Sequence, residues 1–292
     1  MVSRSIYRSI EGKRRIQRYY ETYLNVLPVV FERRFILTDA GKTHVLVTGP
    51  QDAKPLFILQ GGNCIYPMTL SWFTPLLNQY RIYAPDTIGH PGFSEEKRIS
   101  AKGDCFAKWI IQLMDSLKIA NSAFIGPSYG AGIVLRLATY HPERISCSAL
   151  VAPAGISLGL KTKMVMNILI PLFLYRITSS QKQLKKITTA MSDGDMGDLD
   201  QQIIGDIFKY VKLEQDMPKL TEKKDLLHYY SPTLVITGVN DIFFPVERLS
   251  DIVKDIIPNL ITFRTIDMGH FPSNEGLLKI NNDITDFLDS YY

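Results

Sequence analysis

The stretch from Asn121 to Glu143, NSAFIGPSYGAGIVLRLATYHPE, limits the possible folds more than any other part of the chain. It reads as a short apolar strand from Ser122 to Ile125, a turn through Gly126, Pro127, Ser128, Tyr129 and Gly130, and an apolar-faced helix that ends at His141 before Pro142. Gly126 and Gly130 flank Ser128 in the pattern G-x-S-x-G. A chain that reverses this sharply crowds the two flanking positions, where a residue without Cβ fits best. The turn leaves a serine hydroxyl exposed beside the amino end of a helix, whose unpaired N–H groups favour developing negative charge. An ordinary glycine-rich strand-to-helix turn would share the pattern, so the weight lies on what surrounds it.

Strands and helices alternate on either side. Phe31–Leu37 and Thr43–Thr48 alternate apolar and polar residues around Asp39-Ala40-Gly41-Lys42 and predict a hairpin. Gly41-Lys42-Thr43 is not a phosphate loop, because Ile36 stands where that motif needs glycine and both flanks are strands. Leu56–Gln60 reads as a strand buried on both faces, followed by Gly61, Gly62 and Asn63, a loop open enough to bring N–H groups close to a ligand. Tyr80–Ala84 is the next strand, and Asp104–Leu117 a helix with Phe106, Trp109, Ile110, Leu113 and Met114 on one face. Asp86 and His90, in the loop between them, read as residues that fix the loop. Ser146–Ala152 continues the series, implying a doubly wound, mostly parallel sheet with right-handed crossovers.

The alternation breaks from residue 158 to residue 228. Met164–Ile177, Gln181–Met191 and Asp200–Leu213 read as helices, a cap inserted between strands and rich in Met, Ile, Leu and Phe. Within it, Asp193–Asp200 has neither the glycine nor the distal glutamate of a calcium loop, so it reads as an acidic linker. Strands resume at Thr233–Thr237 and Ile261–Ile266, with a helix at Val246–Ile257 between them and another at Leu277–Tyr291. The two strands end in loops that carry Asp241 and His270. The order is serine, aspartate, histidine.

The proposed organisation is an N-terminal helical arm (1–30), an α/β core (31–157 and 229–292) and a helical cap (158–228). In the arm, Ile6, Ile10, Ile16, Tyr19, Tyr20, Tyr23 and Leu24 recur near helical spacing, as expected of a helix laid on the protein's own surface. The net charge of +4 is local: Met1–Arg34 holds eight Lys or Arg against three Glu. The remainder shows no basic surface for nucleic acid. The apolar run Met164–Tyr175, broken by Asn167 and Pro171, is too short for a membrane span. Cys64, Cys105 and Cys147 match neither a disulfide framework nor a zinc site, which leads us to expect a reducing, cytoplasmic setting and no metal. Cys64 is expected to pack rather than react.

Taken together, Gln60-Gly61-Gly62, Pro85-Asp86-x-x-Gly89-His90-x-Gly92-x-Ser94, Gly126-Pro-Ser-Tyr-Gly130, Gly238-Val-Asn-Asp241 and Gly269-His270-Phe-Pro resemble the α/β-hydrolase superfamily from Phe35 to the C-terminus. Arg18–Tyr23, Gly41–Val45 and Gly49–Ala53 resemble the opening of small bacterial carboxylesterases of the naproxen-cleaving type. The resemblance implies a catalytic triad of Ser128, His270 and Asp241, an oxyanion hole of the Gly62 and Tyr129 N–H groups, substrate contacts from Asn63 and Phe271, no cofactor, and a small apolar acyl or aryl ester as substrate. Gln60 departs from the family's usual histidine and leaves the second donor open between Gly62 and Asn63. A dehalogenase or epoxide hydrolase of this fold would carry Asp in place of Ser128. A carbon–carbon bond hydrolase or perhydrolase would use the same triad, and a ligand-binding sensor with an idle triad would differ only in turnover.

Overall fold

The computed structural model describes residues 5–194 and 196–292. Residues 1–4 of the arm and Asp195 of the acidic linker lie outside them. Eight strands form one sheet in the order β1-β2-β4-β3-β5-β6-β7-β8. They are β1 (Glu32–Thr38), β2 (Gly41–Thr48), β3 (Pro55–Ile58), β4 (Arg81–Pro85), β5 (Ser122–Pro127), β6 (Ile145–Val151), β7 (Thr233–Gly238) and β8 (Leu260–Ile266). β2 runs antiparallel to β1 and β4, and every other pairing is parallel.

The helices are α1 (Ile10–Val26), α2 (Tyr66–Ser71), α3 (Cys105–Ser116), α4 (Tyr129–Tyr140), α5 (Lys161–Met164), α6 (Ile170–Thr178), α7 (Gln181–Ser192), α8 (Asp198–Tyr210), α9 (Val246–Ile256) and α10 (Asn274–Tyr291). The short α2 was not legible in the sequence. The single helix expected over Met164–Ile177 is instead α5, a π-helical stretch at Val165–Leu169, and α6. Pro171 has no N–H to return to the preceding turn, and a widened turn absorbs the mismatch.

Successive strand residues point to opposite faces of the sheet, so each strand feeds two cores. Leu56 and Ile58 join the core under α1, α2 and α10, while Phe57 and Leu59 join the one under α3, α4 and α9. Chain order reverses between β4 and β5, which flank β3. Connections leave in opposite directions there and open a crevice beyond the carboxyl ends of the strands. The turns after β3 and β5 both lie at that crevice, and they carry Gly62 and Ser128.

The segment between β6 and β7 contains α5 to α8 and no named strand among the described residues. α1 ties it to the core. Ser9 caps α1 by accepting from Gly12 N–H at 3.0 Å, and the buried face is Gly12, Ile16, Tyr20 and Leu24. Ile10, expected on that face, is 74% exposed, because it starts the helix outside the four-residue repeat that points inward. A Cβ on Gly12 would sit 2.6 Å from Tyr210 Cβ, so this glycine lets α1 lie directly on α8. Tyr7 and Val211 form an antiparallel bridge, and Asp206 of α8 accepts from Arg15 and, at 2.8 Å, from Tyr19. α1 therefore packs on the protein's own surface. Burying Ile16 alone contributes about 1.5–3 kcal/mol.

Burial also separates the cysteines. Cys64 and Cys147 are buried, and desolvation pushes both thiols up to about 12, while Cys105 is exposed. Maleimide labelling of the folded protein at neutral pH should therefore modify Cys105 rapidly and the other two only after denaturant is added. Rapid labelling of Cys64 would contradict this packing.

Candidate active site

Ser128 stands between β5 and α4 with φ 50° and ψ −116°, a left-handed backbone that costs a side-chain-bearing residue about 1–3 kcal/mol. Backbone hydrogen bonds hold it: Ser128 N–H donates to Val151 O at 2.8 Å, and its carbonyl accepts from Ala131, Ala154 and Gly132 N–H at 3.0, 3.1 and 3.4 Å. The crowding expected from the motif is present. A Cβ on Gly126 would lie 2.6 Å from Ala131 N, and one on Gly130 would lie 2.8 Å from Leu59 O.

His270 and Asp241 come from the loops after β8 and β7, adjacent strands whose ends therefore lie side by side. His270 Nε2 is 3.0 Å from Ser128 Oγ, and His270 Nδ1 is 2.8 Å from Asp241 Oδ2. The other carboxylate oxygen, Oδ1, accepts from the N–H groups of Phe243 and Phe244 at 2.7 and 3.0 Å. Asp241 and His270 are both buried, and the rings of Phe243, Phe244 and Phe271 surround the imidazole at 4.8, 5.5 and 5.9 Å. With Nδ1–H committed to the carboxylate, Nε2 is left as the acceptor facing the hydroxyl. Phe243 and Phe244 did not emerge from the sequence reading. Their proximity to Asp241 in the chain was the available signal.

Of the other acids, neither reaches His270. Asp86 accepts from Tyr20 OH at 2.7 Å and from Phe93 N–H at 2.7 Å, and it lies 3.0 Å from His44 Nδ1, all inside the protein. Asp267 accepts from Asn240. Asp86 is thus the loop anchor expected of it, with Tyr20 and His44 as partners supplied from distant elements.

The loop after β3 is held by Gln60. Its amide nitrogen donates to Cys64 O at 2.7 Å and Pro91 O at 3.2 Å, and its oxygen accepts from Thr87 N–H at 2.8 Å. The buried amide ties this loop to the one after β4. Gly61 N–H is occupied by Thr69 Oγ1 at 3.1 Å. Gly62 lies against Tyr129, where a Cβ would be 3.1 Å from Tyr129 Cβ, and neither N–H has a partner among the described residues.

The two residues expected to touch substrate face elsewhere in part. Asn63, at φ 52°, accepts from Glu214 N–H at 2.7 Å and donates to Glu214 O at 3.2 Å, so its amide latches the chain returning from α8. Phe271 is half-buried; its N–H donates to Met191 O at 2.9 Å and its ring meets Trp72 edge-on. The end of α7 also rests on this site, with Asn240 donating to Asp193 at 2.8 Å. A surface hollow of about 610 Å³ lined by Leu27, Val29, Val30, Thr48 and Asn78 contains none of these groups and no titratable side chain. No cluster of His, Cys, Asp and Glu suited to a metal occurs among the described residues.

His90 packs against the ring of Tyr129 at 4.8 Å, and burial lowers it from an ordinary value near 6.5 to about 4. Its unfolded form takes up a proton that the folded form resists, so it should reduce stability as pH falls from about 6.5 toward 4. Urea denaturation of His90→Gln should give a shallower loss of stability over that range than wild type. Parallel curves would remove His90 as a source of acid sensitivity.

Residues 54–176 match the model of the alpha/beta hydrolase fold family. An uncharacterised carboxylesterase, nap, of Bacillus subtilis is 35% identical over 144 residues, 47% of each chain. Carboxylesterase YbfK of the same organism is 24% identical over 96% of this chain and 95% of its own. The crystal structure of naproxen esterase from Bacillus subtilis superposes with a TM-score of 0.79 at 20% identity, covering 96% of this chain and 99% of the other. The chain has the α/β-hydrolase fold and resembles bacterial carboxylesterases.

Proposed function

We propose that this carboxylesterase-like α/β-hydrolase cleaves carboxylic esters through an acyl-enzyme intermediate. The observation that carries the reading is the continuous hydrogen-bonded series from Asp241 through His270 to Ser128, ending at a strained serine. In this mechanism His270 Nε2 takes the hydroxyl proton as Ser128 Oγ attacks the ester carbonyl. The negative charge that develops on the carbonyl oxygen is stabilised by the N–H groups of Tyr129 and Gly62, two residues that pack against each other and whose N–H groups have no partner among the described residues. Gly61 is a poorer donor because Thr69 already accepts its N–H. Asp241, itself fixed by two backbone N–H groups, keeps the imidazole in the required tautomer and stabilises its charged form.

Collapse of the tetrahedral adduct breaks the bond to the alkoxy oxygen, and His270 returns the proton to the leaving alcohol. Water, deprotonated by the same imidazole, then attacks the acyl-enzyme, and Ser128 leaves with its proton restored. Each proton removed by His270 is given back, so the cycle needs no metal or organic cofactor.

The three phenyl rings around His270 favour a small apolar acyl or aryl group beside the reacting carbonyl. We assign α5 to α8 the role of the cap over the site, a role supported by the contacts of Met191 and Asp193 with the loops bearing His270 and Asp241. Asn63, with its amide held by Glu214, is assigned to the cap's attachment, and any contribution it makes to substrate would come from its backbone.

Hydrolysis of p-nitrophenyl acyl esters of increasing length tests the reading. Wild type should turn them over, Ser128→Ala should lose several orders of magnitude in kcat, and Asp241→Asn should lose about 10⁴-fold while remaining folded. Absence of turnover across the series would favour carbon–carbon hydrolysis or ligand sensing, and an Asp241→Asn enzyme as fast as wild type would exclude Asp241 as the orienting acid.

A further inference from the structure

From Met164 to Tyr175 every residue but Asn167 is apolar or aromatic, a pattern expected of a helix buried on every side. Yet only one face is covered. Ile168, Pro171, Leu172 and Tyr175 are buried, while Met166 is 57% exposed, Leu169 51%, Phe173 63% and Ile177 66%. Spaced three and four residues apart, these four share the uncovered face. No helix among the described residues is long and apolar enough to cross a membrane, so this surface differs from a span.

The charges on this segment and on α7 have one sign. From Ile145 to Ser192 the chain contains no Asp or Glu and six basic residues. Lys161 and Lys163 stand at the start of the apolar face. Lys182, Lys185 and Lys186 occupy the exposed side of α7, which packs against α6. None of these five lysines forms an ion pair among the described residues. Exposed apolar side chains bordered by unpaired lysines are suited to a surface that offers hydrocarbon beneath a layer of anions.

We propose that this face docks on a lipid bilayer carrying anionic headgroups, with Phe173 and Ile177 entering the acyl boundary and the lysines meeting phosphate. Like charge disfavours the rival occupant, since a twofold contact between two copies would bring ten lysines of one sign together. The face also adjoins the candidate site. Gly159 N–H donates to Phe243 O at 2.7 Å, and Phe243 lies against His270, so the chain entering α5 is one residue removed from the imidazole. Docking is independent of ester hydrolysis, and its readout is binding alone.

The test is co-sedimentation of the full chain with vesicles of phosphatidylcholine alone, or with about 30% phosphatidylglycerol, at about 0.05 M and 0.5 M NaCl. The protein should partition onto the anionic vesicles only, and less at high salt. Phe173→Glu combined with Ile177→Glu should lower partitioning at least about tenfold. Replacing Lys182, Lys185 and Lys186 by Gln should lower it by up to about fivefold per lysine. Circular dichroism and turnover of a soluble ester should be unchanged in both, and if the glutamate variant does not fold, the lysine variant decides.

Failure to bind anionic vesicles at low salt, or equal binding by wild type and both variants, would overturn the proposal. So would a concentration-dependent dimer that the glutamate substitutions abolish.

Discussion

The strained backbone of Ser128 is the constraint around which this end of the molecule is built. A left-handed serine relaxes unless its neighbours forbid it, and here Val151 O and the N–H groups of Ala131 and Ala154 hold it in place. Those partners come from β6, the turn that follows it, and α4. The strain is therefore supported by the parallel sheet itself, which must be formed before the turn can persist. Gly126 and Gly130 follow from the same requirement, because the turn brings α4 against the ends of β3 and β5 with no room for side chains.

The loops that converge on Ser128 are stabilised from behind by buried polar groups. Gln60 joins the loop after β3 to the loop after β4, and Asp86 collects Tyr20, His44 and Phe93 into one network. A buried carboxylate is tolerated only when its oxygens are satisfied. Because Tyr20 supplies one of these donors, the N-terminal helix is part of the support for the loop that carries His90. The same helix grips α8, so core, loop and helical excursion share one brace.

Much of this was legible in the sequence because it depends on local pattern. Alternating apolar strands and periodic helices placed all eight strands within a residue or two, the hairpin among them. Ser128, Asp241 and His270 stood out because each follows a strand in a parallel series, whose ends must lie together. What escaped notice depends on distance along the chain. Tyr20 and Asp86 are far apart in sequence, as are Asn63 and Glu214, and nothing in either local pattern links them. Asn63 reads locally as an open loop residue; only the returning chain shows that its amide is occupied. Ile10 went astray because a helix's first residue can match the apolar period yet sit outside the buried repeat. The π-helical turn before Pro171 likewise reflects a backbone mismatch that hydrophobic spacing does not record.

The central claim is that Ser128 Oγ is the nucleophile, and trapping it covalently tests that claim most directly. A fluorophosphonate reagent should add one phosphonyl group per chain, lose fluoride, and be found by peptide mass mapping on Ser128. Prior denaturation should abolish the labelling, since the reactivity depends on His270. A phosphonyl group on any other residue, or a folded protein that remains unlabelled, would contradict the account.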